Sequence, residues 1–299
     1  MELRGDYPAI DMDTLCDLFG KSRQAYYQRA KYNYKEEVKE EILLQLIEKE
    51  RALMPKLGGR KLLGKLEPRL PPELSLGRDK FFDFLRKHGL LVGKRRKRIR
   101  TTYSNHWLHK YPNLIRGFVP IMINQLWVSD ITYIETGEGF VYLSLVTDAY
   151  SREIIGWSVG ATLEASYSLR ALDMALKRLP KQTRGLIHHS DRGVQYCCGE
   201  YVKKLNKHSI NISMTENGDP RENAIAERVN GILKDEWLNQ IKLASLEEAI
   251  KQMNRIIMIY NCHRPHSSLD MKTPREAGQL SGELKKHWKT YYKSQAVSL

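Results

Sequence analysis

Apolar residues along the chain follow two different rhythms, and the change falls near residue 120. Upstream, the spacing is helical. Residues 12–30, MDTLCDLFGKSRQAYYQRA, predict two short helices about a turn at Gly20-Lys21-Ser22, with Ser22 as N-cap of the second and Leu15, Leu18 and Phe19 as an apolar face. The pattern suits a helix-turn-helix, though many helical hairpins share it. Residues 35–53, KEEVKEEILLQLIEKERAL, predict an amphipathic helix. Pro55 and Gly58-Gly59 then break the chain, and a second short helix begins beyond them. GRDKFFDFLRKHGLL predicts another helix, with Phe81, Phe82, Phe84 and Leu85 apolar and Gly89 at its end.

From residue 125 the alternation becomes that of strands. QLWVSDITYIE, GFVYLSLVTDAYS and REIIGWSVGAT predict three strands, the last two joined by a short turn at Ser151-Arg152, so they form an antiparallel meander. TLEASYSLRALDMALKRLP predicts a helix ended by Pro180, RGLIHHSD a fourth strand, CGEYVKKLNKHS a helix and INISMT a fifth strand. DPRENAIAERVNGILKDEWL predicts a long helix, with Asp219 as N-cap, Pro220 in the first turn and Glu222 closing a capping box. SLEEAIKQMNRIIMIYNCH predicts one more. Three antiparallel strands followed by helix, strand, helix, strand, helix is the element order of a ribonuclease H-like α/β core, a mixed five-stranded sheet with flanking helices.

Charge sharpens the division. The chain has 299 residues and a formal net charge of +14. Residues 1–120 carry 26 Lys and Arg against 15 Asp and Glu, and the rest carry 23 against 20. A basic first part joined to a near-neutral second part points to a polyanion-binding unit attached to something else. Its densest stretch, GKRRKRIR from Gly93 to Arg100, is read either as a solvated linker or as a phosphate-contacting segment; its position after the helical unit favours the second. The expected organisation is a helical DNA-binding region over 1–100, a linker over 101–120, a core over 121–280 and a tail over 281–299. No run of 18 apolar residues is present, and the first residues lack a charged-then-apolar leader pattern, so the chain is expected in the cytoplasm, with no membrane partner. Cys16, Cys197, Cys198 and Cys262 form no C-x-x-C pair, and neither a disulfide framework nor a zinc site is expected.

The candidate chemistry is carboxylate chemistry. Asp130 sits inside the first predicted strand, in WVSDITYI, and Asp191 ends the fourth, in HHSDRGVQY. A strand interior is a costly place for a carboxylate. In the expected fold those two strands are neighbours. Asn223, Glu227, Asn230 and Lys234 fall at i, i+4, i+7 and i+11 on the long helix and form one polar stripe, while Ile225, Val229 and Ile232 face away. The stripe can face a cleft beside the sheet and bring Glu227 toward the two aspartates. Three converging carboxylates repel and call for a counter-charge. Magnesium or manganese, as two ions, suits oxygen ligands and in-line phosphoryl displacement. A lone strand aspartate is more often a turn or capping residue, as Asp148 and Asp173 can be. The 35 residues between Asp191 and Glu227 weigh against that reading here.

The words WVSDITYI, VTDAYSREIIGWSV, HHSDRGVQY, SMTENGDPRENAIAERVNGILKDEW and YNCHRPHSSLDMKTP resemble the DDE transposases of bacterial insertion sequences, within the retroviral-integrase-like superfamily. The match is to the second-frame (OrfB) protein of the insertion-sequence-three family, tight over about residues 120–280 and looser over LCDLFGKSRQAYYQRA and KLGGRKLLGKL. The resemblance implies that Asp130, Asp191 and Glu227 are a metal-binding catalytic triad. It implies cleavage of one DNA strand by activated water, then attack of the freed 3′-hydroxyl on a target. It further implies a homo-oligomer on double-stranded DNA ends, a first-frame DNA-binding protein as partner or frameshift fusion, and a place at the bacterial nucleoid. Lys94, Arg95, Arg96, Lys97, Arg98 and Arg100, with Asn223, Asn230 and Lys234 of the stripe, are the candidate DNA contacts. His188 and His189 stay open between metal or DNA contact and a structural role, and Arg264, His266 and the Thr-Pro of the tail between a site and a pin for the last helix. The chain departs from retroviral integrases in lacking their His-His-Cys-Cys zinc module, and ENGDPRENAIAE departs from the common family wording. Two rival functions remain: a ribonuclease H-like nuclease without strand transfer, and an inactive DNA-binding regulator.

Overall fold

A computed structural model of the chain describes residues 10–93, 108–216 and 220–284, with the side chains of 220 and 221 excepted; the basic run from Lys94 to Arg100 lies outside the described residues, as does Asp219. The described residues open with α1 (Met12–Leu18), capped by Asp11, whose carboxylate accepts from the Thr14 N–H at 2.8 Å. Gly20 turns the chain at φ +60°, and Ser22 caps α2 by accepting from the Ala25 N–H at 3.1 Å. From there α2 runs unbroken over Arg23–Leu53, 31 residues, where the sequence led us to expect two separate helices. The reason is local: AKYNYKEE holds neither Gly nor Pro, so nothing removes a hydrogen bond or loosens the backbone, and propagation is favourable once a helix has begun. The expected apolar face of the first hairpin is also corrected. Leu18 and Phe19 are 76% and 59% exposed, and Cys16 is the buried residue of α1. A seven-residue helix lying on the start of α2 has too little cover for a whole face. α3 (Gly59–Leu66) and α4 (Arg78–Lys87) follow. Phe81, Phe84 and Leu85 of α4 are buried, and Gly89, at φ +65°, ends it.

The core sheet has five strands, β1 (Leu126–Thr136), β2 (Gly139–Asp148), β3 (Ile154–Gly160), β4 (Ile187–Ser190) and β5 (Asn211–Met214), in the order β3-β2-β1-β4-β5. β1 to β3 form the expected antiparallel meander, and β1, β4 and β5 are parallel. Parallel strands need cover on both faces, and the alternation along β2 supplies two sets of contacts. Val146, with Trp127 and Ile155, packs on α5 (Ala165–Leu176), on the short α6 (Val194–Cys197) and on α7 (Gly199–Lys207). Leu143 and Leu145 face the other way, onto α8 (Ala224–Glu236) and α9 (Leu246–Cys262). That second cluster continues into Leu43 and Ile47 of α2, Leu62 and Leu66 of α3 and Phe81 of α4. The Trp237 indole fastens the contact by donating to the Leu53 carbonyl at 2.8 Å. The last short helix, α10 (Pro274–Ala277), closes on a Thr273–Glu276 capping box.

The start of the long helix also differs from expectation. Residues Pro220–Asn223 are a 3₁₀ turn, and the α-helix begins only at Ala224. The Glu222 carboxylate accepts from the Glu216 N–H at 2.7 Å and stands 3.8 Å from Arg116, so it ties the incoming loop; the capping box expected with Asp219 lies outside the described residues. The Asn223 side chain donates to the Ser129 carbonyl of β1 at 3.1 Å, and this long-range bond outcompetes continuation of a regular helix through that position.

Candidate active site

β1 and β4 run side by side with Trp127 opposite His188 and Val128 opposite His189. Two residues further along each strand are Asp130 and Asp191, so the parallel register draws the two carboxylates level, on chains about 5 Å apart. Each is held by its own backbone. Asp130 accepts from the Ile131 N–H at 2.9 Å, and Asp191 accepts from the Gly193 N–H at 3.0 Å. Gly193 has a physical reason to be glycine: a Cβ there would stand 3.0 Å from the Asp191 oxygen. The glycine two residues after the aspartate, in HHSDRGVQY, therefore makes room for the carboxylate that its N–H holds.

The polar stripe of α8 faces this pair. Asn230 donates from its amide to the second Asp130 oxygen at 2.8 Å and is itself buried, as is Asn223. Both asparagines are thus engaged with β1. Lys234, further along, lies 3.7 Å from the centre of the Tyr133 ring. Glu227 is exposed, on the first turn of α8. Burial pushes the Asp130 carboxyl up to about 7; the charge of Asp191 adds to the rise and that of Glu227 adds less, while the Asn230 bond opposes it. All three carboxylates are therefore within electrostatic reach, with Glu227 the outermost. Among the described residues, no three His, Cys, Asp or Glu side chains stand close enough as they are to hold one metal ion. The donor set is nevertheless all oxygen, and like charges raise the one at its centre. That is the chemistry of a hard divalent cation site.

The two histidines before Asp191 turn inward. His188 is 1% exposed, with Nε2 2.8 Å from the Ser129 hydroxyl and 3.0 Å from the Tyr201 hydroxyl. His189 is fully buried, its Nδ1 2.8 Å from Ser213. Burial drives both down, to about 3 and about 4, so they are neutral members of the sheet's hydrogen bonding. Asp148 is a turn residue: it accepts from the backbone of Asn124, Tyr150 and Ser151. Asp173 pairs with Lys204 at 2.7 Å. Three features escaped the sequence reading, namely the Asn230–Asp130 bond, the Gly193 clearance and the Arg264–Glu236 pair. Arg264 is fully buried and bidentate to Glu236, the last residue of α8, at 2.6 and 2.7 Å. For Asn230 a signal was present, its place three residues after Glu227 on one stripe; for Arg264 there was only its recurrence in a family word.

The chain matches the integrase core domain family over residues 122–220 and again over 208–274. It is 34% identical over 264 residues to an uncharacterized 31 kDa protein of insertion element IS600 from Shigella sonnei, covering 87% of this chain and 96% of that one. It is 38% identical over 185 residues to the transposase InsF of insertion sequence IS3A from Escherichia coli K12, covering 61% of this chain and 64% of that one. Among solved structures, the catalytic core of HTLV-2 integrase in complex with magnesium aligns with 54% of this chain and 99% of its own, at 19% identity and a TM-score of 0.42. Because the IS600 relative is matched along nearly its whole length, the chain belongs to the integrase-core transposases of the insertion-sequence-three family.

Proposed function

We propose that the protein cuts DNA at the ends of its insertion element and joins the freed 3′-ends to a target, with Asp130, Asp191 and Glu227 as the catalytic carboxylates. The observation that carries the reading is the convergence of Asp130, inside β1, and Asp191, at the end of the parallel β4, with the stripe of Glu227 lying against them. Burial first, and then the charges of Asp191 and Glu227, raise the Asp130 carboxyl; a magnesium or manganese ion held there would supply charge neutralisation and activation of the attacking oxygen in phosphoryl displacement. Asp130 and Asp191 would hold it, and Glu227 would complete the set. The chain's own residues do the positioning. The Ile131 and Gly193 N–H groups fix one oxygen of each aspartate, and Asn230 orients the other Asp130 oxygen. Asn223 ties the head of α8 to β1 and so keeps Glu227 beside the pair. Little covalent work is left to the protein in such a reaction, and positioning carries most of the rate.

Double-stranded DNA is the substrate on this reading, held by an oligomer of the chain. The cations from Lys94 to Arg98 and Arg100 contribute phosphate contacts, and Lys234 a contact beside the cleft. All three catalytic carboxylates of this reading belong to this chain, so the full chain is tested alone first, and then with a first-frame protein. Duplexes carrying the element's own ends, uncut and pre-cut, are incubated with magnesium and with excess chelator. The wild-type chain should cleave and join, and should stop in chelator. Glu227→Gln should bind DNA but do neither, whereas Glu222→Gln should keep most activity, because Glu222 serves the Glu216 loop. Cleavage without joining would leave the nuclease reading, binding without cleavage the regulator reading, and an active Glu227→Gln beside a dead Glu222→Gln would overturn the assignment.

A further inference from the structure

Tyr196 stands five residues beyond Asp191 in HHSDRGVQY, on the short α6. The residue is 3% exposed, and its hydroxyl is buried with no hydrogen-bond partner in the protein. A buried polar atom left without a partner costs free energy and calls for an explanation. Phenylalanine would fill the same space without that cost, so packing alone gives no reason for the oxygen. Tyr201 shows the contrast. The two rings meet edge to face with centroids 5.4 Å apart, and the Tyr201 hydroxyl lies 3.0 Å from His188 Nε2, a bond that Tyr196 does not have. A second observation places Tyr196 at the carboxylates. Gly193, whose N–H holds Asp191, is the common point: a Cβ there would stand 3.0 Å from the Asp191 oxygen and 3.6 Å from the edge of the Tyr196 ring. The Tyr196 N–H donates to the Gly193 carbonyl at 3.0 Å, which fastens the residue to the same turn. Burial first, then Tyr201, and then the charges of Asp130 and Asp191 hold the Tyr196 hydroxyl well above its ordinary range, so it keeps its proton.

We propose that Tyr196 is a positioning residue of the Asp130–Asp191 site, its hydroxyl bonding to a water that the metal ion keeps. The proposal rests on the reading of those aspartates as metal-binding carboxylates. A magnesium ion gives up its waters reluctantly and retains several when a protein holds it. A phenolic hydroxyl accepts from such a water and still has its own proton to give to a carboxylate oxygen. Groups of this kind, one step out from the ion, orient its ligands and strengthen its binding. The hydroxyl then destabilises the metal-free chain slightly, and ion binding relieves it. Among the described residues one more buried tyrosine, Tyr260, has a hydroxyl without a partner in the protein. It lines a cavity of about 410 Å³ behind α8, whose wall carries Lys61, Arg152, Arg228 and Arg264 and neither aspartate. Tyr260 is therefore the control, the same oxygen in an equally buried place away from the carboxylates.

The test uses the full chain without DNA and the variants Tyr196→Phe and Tyr260→Phe, with Asp130→Asn to define binding at this site. Manganese is titrated, and the unbound ion is counted by electron paramagnetic resonance. The melting temperature of each protein is measured in excess chelator. Tyr196→Phe should bind manganese about tenfold more weakly than wild type, while melting no lower than wild type in chelator, because it loses an oxygen that had no partner. Tyr260→Phe should bind the ion as wild type does. Unchanged affinity in Tyr196→Phe would overturn the proposal and leave the hydroxyl as a burial cost alone. A melting temperature several degrees lower in chelator would also overturn it, since the oxygen would then serve the metal-free fold. So would an equal loss of affinity in Tyr260→Phe. Manganese binding that Asp130→Asn does not reduce would sink the carboxylate reading itself, whereas the other outcomes leave that reading standing.

Discussion

Replacing Arg264 with Met tests what the tail of the chain does. The Arg264 and Glu236 side chains are 0% and 6% exposed and meet through two hydrogen bonds, at 2.6 and 2.7 Å. Taking the arginine away removes both of these charge-assisted hydrogen bonds from a buried carboxylate, which keeps Lys61 3.9 Å off. Breaking a buried ion pair by removing one partner costs about 3–5 kcal/mol. With a urea m-value of roughly 3 kcal/mol/M, the unfolding midpoint should fall by about 1–1.7 M. The paired change Arg264→Met with Glu236→Leu removes both charges at similar volume, and such replacements are neutral or stabilising by about 1–4 kcal/mol. Urea denaturation of wild type, single and double variants decides the matter, followed by fluorescence at several protein concentrations to keep any assembly out of the comparison. If the double variant falls as far as the single one, lost packing and not the stranded carboxylate is the cause, and the reasoning fails.

Two further predictions concern the sheet. His188 is buried and held down to about 3 against an ordinary 6.5, so the unfolded chain takes up its proton first. A folded-state value below the unfolded one means that stability is present above about pH 6.5 and drains as pH falls toward 3, at up to about 1.4 kcal/mol per pH unit. Replacing His188 with Gln removes this drain, so the stability difference between wild type and variant should shrink in that proportion from pH 6 to 4; a difference that does not change with pH would count against it. Gly156 of β3 lies under α5, where an added Cβ would stand 2.0 Å from the Ala171 carbonyl oxygen. Changing Gly156 to Ala should therefore destabilise by about 1–3 kcal/mol or more through overpacking, read as a lower melting temperature; an unchanged midpoint would show that the helix can move aside.

The core was legible because its signals are local. Alternation in LWVSDITYIET and the run GFVYLSLVTD mark strands that the sheet then pairs as a meander, and Ser22 and Ser245 cap helices with their own side chains. The failures are also local. AKYNYKEE contains no residue that stops a helix, so two expected helices are one, and the expected start of the long helix at Pro220 is a 3₁₀ turn. What the sequence does not disclose are partnerships between distant residues. Asn230 is 100 residues from Asp130 and Arg264 is 28 from Glu236, and the local pattern around either residue does not name its partner.

The same contrast accounts for why Asp130 and Asp191 could be singled out while the cavity behind α8 could not. A carboxylate inside an apolar strand breaks the pattern on which the strand rests, so its cost is visible in the sequence. In the folded chain that cost is visible again as a carboxyl lifted to about 7 by burial and by Asp191. Lys61, Arg152, Arg228 and Arg264 break no such pattern. Each is an ordinary cation in a basic chain, and they line one cavity only because the β2–β3 turn, α8 and the tail meet. Arg152 alone leaves a trace, and the trace is conformational: a φ of +64° at a turn where glycine or asparagine would be less strained. Residues that violate a local rule can be singled out from the sequence, whereas residues that obey every local rule are brought together only by the fold that gathers them.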